Sequence, residues 1–149
     1  RTDVLSNWGR LKQKEKHQQT VADTLRAVPK AFPALMRSCK IQKRAARVGF
    51  DWDTAADTLP KIHEEADEVL DALKKGDAPA ITEEIGDLLF ACVNAARKAG
   101  VDPELALAAA TQKFTNRFIK MEELILSEGG CLSDMTLEQM DSYWDRIKK

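Results

Sequence analysis

An acidic pattern occurs twice in this sequence at short separation. Residues 64–68 read EEADE and residues 83–87 read EEIGD, with a break at Gly76 between them. Each segment lies inside an apolar repeat with the three-to-four-residue period of a helix. Each therefore places acidic groups three residues apart on one helical face. Two such faces turned toward each other would form an oxygen-lined site for a hard divalent cation.

Helical geometry predicts that both acidic pairs lie on the same shoulder of an apolar stripe. Successive helical residues rotate by about 100°, so Glu65 falls roughly 60° and Glu68 about 120° from the stripe centre. In the second helix Glu84 and Asp87 fall at the same offsets. A short connection favours antiparallel neighbours, and we therefore expect the acidic shoulders to converge.

The apolar residues of these stripes are expected to face the core. They are Ile62, Ala66, Val69 and Leu73 in the first helix, and Ile85, Leu88 and Cys92 in the second. Cys39 is expected to be a small core residue as well. Phe50 and Trp52 are interpreted as packing residues at a turn. Gly86 lies in mid-helix, where glycine costs about 1 kcal/mol relative to alanine, so it suggests close approach by another helix or a ligand.

Composition favours a soluble, helix-rich domain. The 149 residues suffice for one domain, 44% are hydrophobic and 32% are charged. The formal net charge of −1 argues against a dedicated nucleic-acid binder or a membrane-surface protein. Three widely spaced cysteines favour a reducing cytoplasm over a disulfide framework. No membrane-length apolar run is present.

Start and stop signals divide the chain into helices, and no segment alternates long enough to predict a strand. The predicted fold is an all-α bundle of four or five helices. Residues 1–30 are expected to be a linker or an N-terminal helical arm, and residues 31–149 the helical domain. Because the chain begins with Arg1 rather than Met, a neighbouring module upstream is expected. The predicted helices run from Pro33 to Gly49, from Asp53 or Thr54 to Lys75, from Asp77 to Gly100, from Asp102 to Ser127, and from Thr136 through Trp144.

Oxygen ligands favour Mg²⁺, or Mn²⁺ as a second choice, over Zn²⁺. His63 has no second histidine spaced to join it, which excludes a common zinc-protease pattern, and no phosphate-binding glycine loop is present. An ordinary solvated helix face remains the alternative to a metal site. A basic cluster on the helix after Pro33 gives some support to a protein-interaction module instead; its residues are Lys40, Lys43, Arg44 and Arg47.

Four segments together resemble the MazG nucleoside triphosphate pyrophosphohydrolases. The family signature EExxE followed by ExxD is met by Glu64, Glu65 and Glu68 and then by Glu84 and Asp87. The likeness extends from about Asn7 to Trp144, and it is strongest to the C-terminal catalytic module of two-module members. The segments are VGFDW (48–52), KIHEEADEV (61–69), EEIGDLLFACVNAAR (83–97) and KFTNRF (113–118).

The resemblance implies an all-α fold completed by homodimerisation. It also implies Mg²⁺-dependent hydrolysis of ribo- or deoxyribonucleoside triphosphates to the monophosphate and pyrophosphate. A non-catalytic nucleotide sensor or interaction module is the alternative. The roles carried over are metal ligands for Glu65, Glu68, Glu84 and Asp87, water orientation or substrate contact for Glu64, and substrate binding for Lys61, Lys113, Arg117 and Trp144.

Overall fold

The described part of the chain is all-α. The computed structural model describes Trp8 and residues 19–148, and within these residues it contains helices and no strand, as predicted. The chain divides into two compact units, one extending to Glu104 and one starting at Leu105. Of the predicted N-terminal arm, residues 1–7 and 9–18 lie outside the described residues.

Six α-helices and two short 3₁₀ helices make up the described fold. The 3₁₀ helices are Ala56–Thr58 and Leu132–Asp134. The α-helices are α1 (Val21–Arg26), α2 (Ala34–Ala46), α3 (Leu59–Lys75), α4 (Ala78–Lys98), α5 (Pro103–Ser127) and α6 (Leu137–Lys148). Helix α1 falls in the region predicted to be an arm, and the five longer helices match the predicted ones.

Local capping chemistry sets most helix ends where the sequence predicts them. Thr54 Oγ1 accepts a hydrogen bond from the Asp57 amide, and the Asp57 carboxylate accepts one from the Thr54 amide, at the start of the turn leading into α3. Gly76 ends α3 in the left-handed conformation with φ 67°. Asp77 caps α4 through the Ala80 amide, and Thr136 forms a reciprocal cap with Gln139 at α6.

Helices α3 and α4 form the main packed pair of the first unit. Only two residues, Gly76 and Asp77, connect them. This short link makes them direct neighbours along their length, as expected from the sequence. Helix α2 packs against α4, and α1 packs against α2. The two helices that carry the acidic segments are therefore held together by the fold of the first unit.

The predicted core face of α3 is wrong by part of a turn. Its buried residues are Glu65 and Ala72, whereas Ala66 and Leu73 are exposed and Ile62 and Val69 are half-buried. Within the chain, the centre of packing is therefore rotated by roughly 60–80° toward the acidic shoulder. Part of the apolar stripe of α3 is therefore left uncovered by the rest of the described chain.

The predicted core face of α4 also differs from the face that is buried. It buries Ala91 and Val93, while Ile85 and Cys92 are exposed and Leu88 is half-buried. The expectation that Cys92 is a core residue is therefore wrong, whereas Cys39 is buried as expected. A Cβ placed on Gly86 would meet no other described side chain within 4 Å, so packing inside the described chain does not require this glycine.

The second unit has its own small core and polar ties. Ile125 is fully buried, and a Cβ on Gly130 would approach its Cγ2 atom to 3.1 Å. The Glu128 carboxylate accepts a hydrogen bond of 2.6 Å from the Tyr143 hydroxyl and one of 2.8 Å from the Arg146 guanidinium. These bonds tie α6 to the end of α5. Among the described helices, none combines the length and apolar character needed to cross a membrane.

Candidate metal and substrate site

Three carboxylates from the two acidic segments come together on α3 and α4. Glu65, Glu84 and Asp87 each offer an oxygen atom, and these oxygens lie within 4.8 Å of one another. We call these three residues the carboxylate cluster. Glu65 is buried, Glu84 is half-buried and Asp87 is exposed, so the cluster opens to solvent on one side. Oxygen donors at this spacing suit a hard divalent cation.

Glu68, the fourth predicted ligand, lies next to the carboxylate cluster but outside it. Its side chain is exposed, and it is not among the oxygens that meet within 4.8 Å. Partial burial raises the pKa of the Glu84 carboxyl, and the negative charges of Glu68, Asp87 and Glu65 raise it further. Glu68 therefore acts on the cluster through its charge.

Lys61 provides the cation nearest to these acids. Its ammonium lies 2.9 Å from a Glu65 oxygen and 3.3 Å from a Glu64 oxygen. Hydrogen bonds to Glu65 and then to Glu64 raise the pKa of Lys61, which keeps it charged. Glu64 itself is exposed and contributes no oxygen to the cluster, and Lys61 bonds to both Glu64 and Glu65. One ammonium cannot balance three clustered carboxylates, so the site keeps a net negative charge.

A cavity of about 760 Å³ adjoins the carboxylate cluster within the first unit. Its volume is typical of sites that bind a ligand the size of a nucleotide. Acidic and basic groups occupy part of the wall, and apolar, aromatic and amide groups occupy the rest. Its lining includes Gln42, Phe50, Asp51, Trp52, Lys61, Glu65, Asp87, Asn94 and Arg97.

A turn at residues 49–52 brings two aromatic side chains to this cavity, and we call it the aromatic turn. Gly49 allows the chain to turn sharply with φ 90°. Phe50 is 82% exposed and Trp52 is 37% exposed. The interpretation of both as ordinary packing residues is therefore wrong for Phe50 and incomplete for Trp52. No spacing rule identifies such cavity residues, because the turn reaches the cavity only through tertiary contacts.

The aromatic turn is tied to α4 by an ion pair. Asp51 accepts hydrogen bonds from both terminal nitrogens of Arg97, at 2.5 and 3.2 Å, and one from Lys98 at 3.2 Å. The pKa of the Asp51 carboxyl lies well below its ordinary value, and the hydrogen bonds from Arg97 are the largest cause. Arg97 also donates to Gln42 at 3.4 Å and to Asn94 at 3.0 Å. Residues far apart in sequence thus form one polar network along the cavity.

The remaining predicted substrate residues lie in the second unit. Lys113 and Arg117 are one turn apart on α5, where Lys113 is exposed and Arg117 is half-buried. Trp144 on α6 is half-buried, and its ring centre lies 5.4 Å from that of Phe114. This ring contact gives Trp144 a packing role inside its own unit.

Comparison with known proteins places the carboxylate cluster inside a recognised domain. Residues 53–121, which contain the whole carboxylate cluster, match the model of the MazG nucleotide pyrophosphohydrolase domain. The chain is 40% identical over 150 residues to the nucleoside triphosphate pyrophosphohydrolase of Escherichia coli K12, covering 99% of this chain and 57% of that protein.

Two further relatives show the same pattern of partial coverage. One is the nucleoside triphosphate pyrophosphohydrolase/pyrophosphatase MazG of Thermotoga maritima, which is 40% identical over 95% of this chain and 54% of its own length. The other is the uncharacterized protein YabN of Bacillus subtilis, which is 42% identical over 99% of this chain and 30% of its own. The chain belongs to the MazG nucleotide pyrophosphohydrolase family. It spans somewhat more than half of the two relatives whose activity is named.

Proposed function

We propose that this chain hydrolyses nucleoside triphosphates to the nucleoside monophosphate and pyrophosphate. The observation that carries this proposal is the carboxylate cluster beside a cavity large enough for a nucleotide. The names of the E. coli and T. maritima relatives agree with it. Residues 31–149 are the proposed catalytic module.

A divalent cation, Mg²⁺ with Mn²⁺ as the alternative, is the proposed cofactor. The donor set fits it, because Glu65, Glu84 and Asp87 supply only oxygen atoms. Burial, and then the charges of Glu68, Asp87 and Glu65, raise the pKa of Glu84. Glu68 is the adjacent acid that could join them. A bound cation would neutralise phosphate charge and lower the pKa of nearby water.

The protein's own groups would orient water and hold the phosphates. Glu64 is exposed beside Lys61, where its carboxylate can accept a hydrogen bond from the attacking water. Lys61, next to the carboxylate cluster, is the proposed contact for a phosphate oxygen. Lys113 and Arg117 are proposed to hold the leaving pyrophosphate, with lysine acting as a point charge and arginine as a fork.

The nucleoside is proposed to enter the cavity along the aromatic turn. Phe50 and Trp52 offer exposed ring surface there, and a purine or pyrimidine can stack on such surface. Trp144, in the second unit, remains proposed as a second aromatic contact. Separate Trp52→Ala and Trp144→Ala variants would assign the stacking residue by which of them raises KM.

A second copy of the chain is the proposed partner. The apolar face left open on α3 and α4 exposes several large aliphatic side chains, and covering it would remove them from water. Its exposed members are Leu59, Leu70, Leu73, Ile85 and Leu89. The same open face is what a helical interaction module would show, so this alternative has to be tested by activity.

The deciding experiment is a pyrophosphate-release assay with ribo- and deoxyribonucleoside triphosphates, with and without Mg²⁺. Glu65→Gln removes one cluster charge, and Asp67→Asn is its control on the same helix, because Asp67 is exposed and lies outside the cluster. We expect Mg²⁺-dependent release that Glu65→Gln abolishes and Asp67→Asn preserves. Nucleotide binding without release would indicate a sensor, and no binding would indicate an interaction module.

A further inference from the structure

The aromatic turn has few backbone bonds to hold it in place. The Gly49 amide donates to Ala46 at 3.0 Å, the Phe50 amide donates to Ala45 at 3.3 Å, and the Asp51 amide donates to Gly49 at 3.1 Å. None of these bonds reaches α4, which forms another wall of the cavity. The side chain of Asp51 bonds to α4 through Arg97 and Lys98.

The contact between Asp51 and Arg97 constrains direction as well as distance. A carboxylate that meets both terminal nitrogens of a guanidinium is held in one plane, and charge-assisted bonds of this kind are about twice as strong as neutral ones. The side chain of Arg97 is 9% exposed and that of Asp51 is 20% exposed, so water competes weakly for the pair. The Asp51 carboxylate also accepts a 2.8 Å bond from the amide of Trp52. The Asp51 carboxylate thus bonds both to the backbone of Trp52 and to the side chain of Arg97.

The far side of Arg97 extends the network into the cavity wall. Its Nε atom donates to the buried Gln42, whose amide nitrogen donates in turn to the Phe90 carbonyl at 3.0 Å. A second bond reaches Asn94. Gln42, Asn94 and Arg97 all line the cavity. The guanidinium of Arg97 therefore bonds both to the aromatic turn, through Asp51, and to two amide side chains of the cavity wall.

We propose that Asp51 is a positioning residue for nucleoside recognition: its ion pair with Arg97 holds the aromatic turn and the amides of Gln42 and Asn94 in the arrangement that receives the nucleoside. This inference rests on the proposed function, since it assigns the nucleoside to this cavity. Asp51 bonds to Arg97 and Lys98 of α4 from the turn, and it contributes no oxygen to the carboxylate cluster. Its loss is therefore expected to weaken substrate binding while the hydrolytic step is retained.

The kinetic test compares Asp51→Asn and Asp51→Ala with the wild type. Asparagine keeps the shape and loses the charge, whereas alanine loses every contact. We expect KM to rise in that order, by about tenfold for Asp51→Ala, with kcat within about twofold of wild type. An unchanged KM, or a fall in kcat alone, would overturn the proposal.

A matched control separates positioning from general stability. Asp23→Asn removes a carboxylate that caps α1 and pairs with Arg26 at 3.0 Å, in the same unit but outside the cavity lining. It should lower the thermal midpoint and leave KM unchanged. If Asp23→Asn raises KM as much as Asp51→Asn does, the effect is one of stability and the proposal fails.

A fluorescence measurement tests the positioning without any turnover. The chain has three tryptophans, so Trp8→Phe together with Trp144→Phe leaves Trp52 as the only indole. Acrylamide quenching of Trp52 should increase when Asp51→Ala is added to this background and should stay unchanged when Asp23→Asn is added. Unchanged quenching on loss of Asp51 would reject the positioning role even if the enzyme is active. If the wild type is inactive but quenching increases on loss of Asp51, the proposed hydrolysis and the assignment of the nucleoside to this cavity are rejected. The conclusion that Asp51 holds the turn in place would still stand.

Discussion

Asp51 and Glu84 are both acidic residues of the first unit, but their surroundings act on them in opposite directions. Asp51 accepts hydrogen bonds from Arg97 and Lys98, and those from Arg97 are the largest cause of its lowered pKa. Partial burial and the charges of neighbouring acids raise the pKa of Glu84. The first carboxylate is stabilised from within the chain. The second carries repulsion that a cation from outside can relieve, which is the difference expected between a structural and a ligand-binding acid.

The largest expected effect comes from removing one charge from the carboxylate cluster. Glu84→Gln should lower turnover by about a hundredfold or more, because cation binding and phosphate neutralisation both depend on the cluster. In EDTA the same variant should unfold at a higher temperature than wild type, since repulsion is removed. Asp51→Asn should unfold at a lower one. Pyrophosphate release and thermal unfolding are the two measurements. If both variants shift the unfolding temperature in EDTA in the same direction, the contrast between Asp51 and Glu84 is wrong.

Addition of the cation should separate the same two variants. At a Mg²⁺ concentration of one hundred times its dissociation constant, a ligand that binds only the folded state adds about 2.7 kcal/mol of stability. Wild type and Asp51→Asn should both gain thermal stability on adding Mg²⁺, while Glu84→Gln should gain much less. A gain in Glu84→Gln equal to that of wild type would place the cation elsewhere.

Acid should remove the contribution of Asp51. Its folded pKa is depressed, so its stabilising effect is present above the unfolded value of about 3.9 and is lost as the pH falls through the lower folded value. The difference in unfolding free energy between wild type and Asp51→Asn should be about 1.5 kcal/mol at neutral pH and shrink below about pH 4. Urea unfolding at a series of pH values measures it. A difference that grows with acid would contradict the assigned ion pair.

The smallest expected effect tests the backbone between two members of the carboxylate cluster. Gly86 is helical and has open space where a Cβ would sit. Gly86→Ala should therefore stabilise the protein by about 1 kcal/mol through helix propensity. Gly130→Ala, by contrast, would bring a methyl group to 3.0 Å from Met135 and 3.1 Å from Ile125, so it should destabilise. Urea titration of both variants measures whether the free energy of unfolding rises for Gly86→Ala and falls for Gly130→Ala.

Features governed by neighbouring residues could be read from the sequence. The caps at Asp77 and Thr136 and the glycine stop at Gly76 lie where the pattern predicts, because a helix end is satisfied by residues two to four positions away. The spacing of the acids also identified three groups that the fold brings together.

Features that depend on distant residues could not be read in this way. The pairing of Asp51 with Arg97 joins residues 46 positions apart, and nothing in either local segment specifies it. Helical rotation located the apolar stripe but not which edge of it the chain covers, since that depends on what packs there. As a result Leu73 and Ile85 are exposed, while the acid Glu65 is buried.

The two-residue link between α3 and α4 has a consequence for how this chain can vary in length. One extra residue inserted within α4 between Ile81 and Glu84 would rotate Glu84 and Asp87 by about 100° around the helix axis relative to Ile81. These two acids would then no longer lie beside Glu65 on α3. Longer insertions at surface loops such as 128–131 carry no such penalty within the first unit. Among functional descendants of this sequence, indels should therefore be absent from the stretch between Glu65 and Asp87 and should accumulate beyond it.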